Sequence, residues 1–358
     1  MAERDIETLR KHINEIDEQL VKLLDERAEL VKEIGEYKKS QNIPVYHPER
    51  EQEVRERVLS ISKGIFPQKA LMQVFTEIMS AARSLEETIR IAYLGPEGTH
   101  TEQAVIRHFG SSVELQSFQT IPDVFREVEN AKTHFGVVPI ENSLEGTVNI
   151  TLDEFVDSPL QIVGETYLSI HHCLLANVGN LAEIKRVYSH PQAFAQCRLW
   201  LETHLPNVEK IETSSTAKAA SMVPWDKFSA AIAAPLAAEK YGLRILEANI
   251  EDNPENYTRF WVIGQPGTPI QNPNKTTILI SVKDRPGALL KLLSPFQVYD
   301  INLSKIESRP SKRRPWDYLF FIDIDAGLQQ KGLAKALEKV KEDAVFVKVL
   351  GSYIKGTL

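Results

Sequence analysis

The sequence predicts a multidomain protein: an all-helical unit, then an α/β unit, then a small βαββαβ unit in ferredoxin-like order. Three observations carry this. Apolar residues recur at three- and four-residue steps through residues 1–88, the period of an amphipathic helix. Near residue 89 the pattern changes to short β-branched and aromatic runs bounded by turn residues, which read as strands. Residues 264–275, GQPGTPIQNPNK, hold Pro266, Pro269 and Pro273 and read as a linker. The expected units are residues 1–90, 91–266 and 275–358.

In the first unit Ile6, Leu9, Ile13, Ile16, Leu20, Leu23, Leu30, Val31 and Ile34 share one stripe, and no Gly or Pro interrupts before Gly35. A helix of about 35 residues is about 50 Å long, too long to bury itself in a small globule, so it needs an equally long partner. Pro44 ends the pattern. Pro48, with Glu49 and Glu51, reads as the first turn of a second helix, with Val54, Val58 and Ile61 on its buried face. Gly64 and Pro67 break it. A third helix carries Leu71, Val74, Ile78, Ala81 and Leu85 on one stripe.

In the second unit IRIAYL, FGVVPI, LQIVGE and TRFWVIG read as strands, separated by helical stretches including one around Ala230–Tyr241. Alternating strands and helices imply an α/β sheet. In the third, the reading is strand (Thr276–Val282), helix from Gly287, strand (Ser304–Arg309), strand (Tyr318–Asp325), helix (Gly332–Lys341), strand (Val345–Leu350).

With 358 residues, 42% of them hydrophobic, the chain can bury real cores. A net charge of −7 argues against nucleic acid as a partner, and the basic SKRRPW (Ser311–Trp316) reads as a loop. Cys173 and Cys197 are too few for a disulfide framework, which fits a reduced, cytoplasmic setting. The N-terminus lacks the apolar segment of a secretory signal, and no apolar run is long enough to span a membrane. There is no GxSxG elbow, GxGxxG or Walker A pattern. His171–His172 lacks the spacing of a helical metal pair, and no metal or cofactor is expected.

On the long helix Arg27 and Lys38 are eleven residues apart, close to three turns, and share a face. Arg10 lies about 25 Å from Arg27 along the axis and reaches a common site only from a second, antiparallel copy. Each cation alone reads as part of a solvated charged face; a small dianion held between two chains would explain all three. Here residues 1–90 resemble the all-helical chorismate mutase family, on Arg10, Arg27, Lys38, PVYHPERE (Pro44–Glu51) and IMSAARSLEE (Ile78–Glu87). The resemblance implies an intertwined helical dimer in which Arg10 serves the partner's site. It implies Arg10 and Arg27 on substrate carboxylates, Lys38 on the breaking ether bond and Glu51 at the hydroxyl end. Glu86 stands where some members have glutamine, and only its protonated form donates a hydrogen bond. Mutase activity is therefore expected to fall as Glu86 ionises. His47 and Ala82 replace an aspartate and a serine of some members.

The second unit carries YLGPEGTHTEQAV (Tyr93–Val105), PIENSLEGTV (Pro139–Val148), SHPQAFAQC (Ser189–Cys197), TSSTAKAA (Thr213–Ala220) and NYTRFWVIG (Asn256–Gly264). The Gly/Thr-rich turn with Thr99 opens a helix, where backbone amides favour an anion, but a plain strand-to-helix turn is the stronger reading of it taken alone. Together these segments resemble prephenate dehydratase. The resemblance implies two α/β lobes, like a periplasmic binding protein, with the ligand between them. Thr258 would assist departure of the ring hydroxyl, helped by Asn142, Ser189 and Gln196, with Glu141 and Ser143 lining the site. Arg259 either binds a carboxylate or forms a structural salt bridge, because strand alternation turns it away from Thr258.

DRPGALLKLL (Asp284–Leu293) and IESRP (Ile306–Pro310) resemble the two signature segments of the ACT domain. That resemblance implies L-phenylalanine binding by Gly287, Ala288 and Leu289 with Glu307, Ser308 and Arg309, at a domain–domain interface. The combined expectation is a feedback-inhibited enzyme of phenylalanine biosynthesis acting on chorismate and prephenate, as a homodimer or homotetramer. Three alternatives share these folds: a non-catalytic amino-acid- or prephenate-binding sensor, a dehydratase with a degenerate mutase unit, and one preferring arogenate.

Overall fold

The computed structural model describes residues 5–41, 43–282, 285–310 and 318–357. The start of the DRPGALL segment at Asp284 and the basic segment SKRRPW lie outside these.

The first helix, α1 (Ile6–Gln41), runs for 36 residues and buries only Gly35. Its apolar row stays open to solvent, with Ile13 56% and Leu23 60% exposed. The helix α3 (Gln68–Glu86) folds back against its C-terminal end, and α2 (Pro48–Ile61) packs on α3. Gly35 allows that approach, since a Cβ there would stand 3.0 Å from Glu86 Cγ. The stripe read on α3 is not its packed face. Val74 and Leu85 are exposed, whereas Met79, Ser80, Ala82 and Arg83 are buried. Ile61 of α2, expected inside, is also exposed.

Among the described residues the α/β unit forms two sheets. The first orders its strands Glu114–Phe118, Arg90–Leu94, Phe135–Asn142, Tyr257–Gly264, Gln161–Ser169, with Gly146–Thr147 paired to the third. The second orders them Arg244–Glu247, Cys173–Ala176, Ser229–Ala233, Arg186–Ser189, Glu209–Glu212. The chain passes between the lobes twice, at residues 170–172 and 248–256. His171 Nδ1 lies 2.7 Å from Glu251 Oε1 and ties the two crossovers together.

One helix expectation is corrected here. Ser229–Ala233 is a fully buried central strand, and the helix begins at Pro235. A strand buried on both faces shows no alternation, so its alanine-rich run has the look of a buried helix.

The C-terminal unit is a four-stranded antiparallel sheet, ordered Leu303–Pro310, Tyr318–Ile324, Lys275–Ser281, Phe346–Tyr353. Ile278, Ile280, Ile322 and Ile324 pack under the helices Ala288–Val298 and Lys331–Asp343. The alternate residues Leu279, Leu319, Phe321 and Tyr353 join Phe155 and Trp261 in one core with the α/β unit. The two-residue period of a strand thus glues the third unit to the second. The linker is also fastened: Gln265 Nε2 donates to Val128 O at 2.6 Å, and Ile270 packs against the core.

Candidate active sites

Thr258 and Asn142 face each other across the antiparallel pair Tyr257–Gly264 and Phe135–Asn142. Thr258 is 9% exposed. Asn142 Nδ2 donates to Thr258 Oγ1 at 2.9 Å and to Asn256 Oδ1 at 2.7 Å. Asn142 Oδ1 in turn accepts the amides of Leu144 and Glu145 at 3.0 and 3.1 Å. Those amides fix which end of the carboxamide meets Thr258. The threonine oxygen therefore accepts, and its own proton is left to point into the cleft.

Gln196 reaches in from the other lobe. Its Oε1 accepts from Asn256 Nδ2 at 3.3 Å and lies 2.8 Å from His172 Nε2. Asn256 was not singled out from the sequence, although it sits two residues before Thr258, where the crossover enters the strand Tyr257–Gly264. His172 was considered only as a metal ligand, and among the described residues no group of three or more metal-ligating side chains forms.

Other candidates spend their side chains on other partners. Ser189 is fully buried and donates to Ile232 O at 2.8 Å, so its hydroxyl is spent between two strands. Ser143 accepts Tyr257 N at 3.0 Å and braces the turn. Thr99 caps the helix His100–Phe109. The expected anion site at that turn has a resident anion: buried Glu102 accepts Gly98 N at 2.6 Å, binds Tyr93, and pairs with Lys240 of the other lobe at 2.9 Å.

Arg259 points away from Thr258, as alternation requires. It pairs with Glu165 at 2.6 Å and Asp323 at 2.5 Å, and Lys275 joins Glu165 at 3.0 Å. The salt-bridge alternative fits this geometry. Despite burial, Arg259 and Lys275 hold the Asp323 carboxyl below its ordinary range. Lys275, Asp323 and Glu165 were missed because they pair only once two units meet.

In the helical unit, Lys38 and Glu86 pair at 2.9 Å, beside Ala82 on the next turn of α3. Lys38 also donates to Val45 O at 3.3 Å. His47 lies 3.2 Å from Glu49. Glu51 is buried, and its carboxyl is raised by desolvation against the pull of Arg83. Arg83 Nη1 donates to Glu51 at 2.6 Å, and Nη2 donates to Phe109 O of the α/β unit. Arg27 and Arg10 lie on the open length of α1, away from this cluster.

In the C-terminal unit Gly287 (φ +77°) caps the helix Ala288–Val298, a backbone conformation that favours glycine. Ala288 and Leu289 follow in its first turn. Glu307 and Arg309 lie on the opposite sheet face. Thr147 Oγ1 donates to Glu307 at 2.8 Å, and Arg309 donates to Asp153 at 2.9 Å. Lys305 pairs with Glu141 at 2.9 Å. Ser308 faces out. The second expected segment thus holds the strand pair beside Asn142 through Glu307 and the helix Asn149–Asp157 through Arg309.

Three family models match in chain order: chorismate mutase type II over residues 9–87, prephenate dehydratase over 91–268 and the ACT domain over 276–342. The chain is similar to the bifunctional chorismate mutase/prephenate dehydratase of Aquifex aeolicus, at 47% identity over 99% of both chains. Its counterpart in Stutzerimonas stutzeri is 44% identical over the whole of both. Among solved structures, a prephenate dehydratase from Arthrobacter aurescens in complex with L-Phe superposes with a TM-score of 0.69, at 36% identity over 74% of this chain and 90% of that one. The chain belongs to the bifunctional chorismate mutase/prephenate dehydratase family.

Proposed function

We propose that the chain converts chorismate to prephenate in its helical unit and prephenate to phenylpyruvate in the α/β cleft, with L-phenylalanine as feedback inhibitor. The units are taken as residues 1–90, 91–266 and 275–358, working in the cytoplasm. The rearrangement is pericyclic and needs no nucleophile, only a clamp for a folded dicarboxylate and charge stabilisation at the ether oxygen. Lys38, with Glu86 paired to it, supplies the second, and Arg27 with a second copy's Arg10 supplies the first. The open apolar row of α1 supports a homodimer or a tetramer built from it.

In the cleft, carbon dioxide leaves and its bonding electrons aromatise the ring as the C4 hydroxyl departs, taking a proton to become water. The observation that carries this reading is the Asn142–Thr258 hydrogen bond. A threonine hydroxyl is a feeble acid, and a donor fixed on its oxygen both polarises it and aims its proton. Inhibition requires that phenylalanine bind a low-activity state more tightly than an active one. The grip of Lys305 and Glu307 on the residues flanking Asn142 gives such a difference a route to the chemistry.

The test is product analysis with chorismate as sole substrate, with and without L-phenylalanine. Phenylpyruvate that drops on adding phenylalanine is expected. Prephenate accumulating in both samples would remove the dehydratase, and untouched chorismate would remove the mutase.

A further inference from the structure

His172 lies in the first crossover between the lobes and is 3% exposed. Its backbone amide donates to Glu251 Oε2 at 2.9 Å, and its carbonyl accepts Ile250 N, so the ring hangs from the hinge itself. Its tautomer follows from groups that do not titrate. The amides of Leu144 and Glu145 fix Asn142 Oδ1 as acceptor. Asn142 Nδ2 must then donate, so Asn256 presents its oxygen to Asn142 and its nitrogen to Gln196. Gln196 Oε1 is thereby an acceptor, while its nitrogen faces Glu145 at 3.4 Å. The group 2.8 Å from that oxygen, His172 Nε2, carries the proton. The other ring nitrogen, Nδ1, is buried without a partner, as a bare lone pair beside the His100 ring at 5.6 Å between centroids.

We infer that His172, as the neutral Nε2–H tautomer, is a positioning residue for the dehydratase reaction. It holds Gln196, and through Asn256 and Asn142 it holds the hydroxyl of Thr258. The relay spans both lobes, so it is complete only when the hinge brings them into register. Each link has one donor and one acceptor, and losing the first frees Gln196 to turn and unseats the rest. The inference rests on the prephenate dehydratase reading above.

The test compares His172→Asn with His172→Gln in the full chain. A glutamine amide reaches the level of Nε2 and keeps a donor there; an asparagine amide stops at the level of Nδ1. H172N is expected to lower kcat for prephenate about 100-fold, the scale of an ångström misplacement, with KM little changed. H172Q is expected to recover most of the loss. Chorismate consumption in the same samples checks that each chain is folded. H172N at the wild-type rate, or both variants equally impaired, overturns the inference. Nitrogen-15 spectra of the wild-type imidazole supply a second readout: a protonated Nε2 and bare Nδ1 support the tautomer, and the reverse overturns it. Wild-type protein that leaves prephenate untouched overturns the functional reading instead, and the spectrum then decides the tautomer by itself.

Discussion

The cleft around Thr258 and the cluster around Lys38 are built on opposite principles. The first closes within one chain: Asn142, Asn256, Gln196 and His172 converge from two lobes and hydrogen-bond in series. The second stops halfway. Lys38 and Glu86 pair, but Arg27 and Arg10 stay on an open helix whose apolar row is exposed. A sheet brings distant residues together by pairing strands, whereas a single helix sets its residues along a line. Residues 17 positions apart on α1 are separated by about 25 Å, and only another chain can fold that distance away.

The largest expected effect breaks the closed site alone. Thr258→Ala removes the hydroxyl that Asn142 polarises and should cut prephenate turnover by about 10²–10⁴-fold, the usual range for a general acid. Mutase activity in the same protein should hold. An active T258A would remove Thr258 from the chemistry.

The open site is tested by mixing. Arg10→Ala and Lys38→Ala should each lose most mutase activity, because each removes a charge from an electrostatic clamp. Co-expressed, they should regain about one quarter of the wild-type rate, since random pairing in a symmetric dimer leaves one of four sites intact. A mixture as inactive as its parents would place Arg10 and Lys38 in a single-chain site, and the comparison would fail.

These differences mark how far the sequence could be read. The long helix, the strands IRIAYL, FGVVPI and TRFWVIG and the βαββαβ order were legible because burial on one face imposes a period. Thr258 and Asn142 were legible as segments matching a family, and Asn256 was within reach two residues before Thr258. His172 and Gln196 are 24 residues apart on different elements, and no local period records their meeting. Arg83 looked like one more charge on α3, yet it binds Glu51, Phe109 O and the face of Tyr46 at once. The charges at Arg259 are silent for the same reason, as their partners come from three strands in two units.

Arg259 offers a smaller but still large effect. It is 5% exposed, with Glu165 and Asp323 on either side. Arg259→Met leaves buried carboxylates short of a cation, a change that costs about 3–5 kcal/mol in comparable pairs. Urea unfolding of the α/β and C-terminal units should shift accordingly. If Arg259 bound a substrate carboxylate instead, the unfolding midpoint would hold while KM for prephenate rose.

The smallest effect concerns the junction between the two sites. Tyr46 of the helical unit lies 2.9 Å from His108 Nε2 in the α/β unit, with its ring against Phe109 and Phe135. Burial, with Arg55 and Arg83 nearby, pushes the His108 imidazole down to about 3. An unfolded histidine titrates near 6.5. The folded chain therefore holds this ring neutral, and the stability it contributes is complete above about pH 6.5 and lost as pH falls toward 3. Glu51 in the same junction has the opposite sign: burial raises its carboxyl, so acid protonates it early in the folded state and partly offsets the loss. His100 is pushed down to about 3 as well, so the wild-type acid slope has more than one source. His108→Gln removes one of them while keeping a hydrogen-bonding group for Tyr46. Its melting temperature should fall less steeply than the wild type's between pH 6.5 and 4. Parallel slopes would mean that His108 is not held neutral in the folded chain, and that the junction is held by Arg83 and ring packing alone.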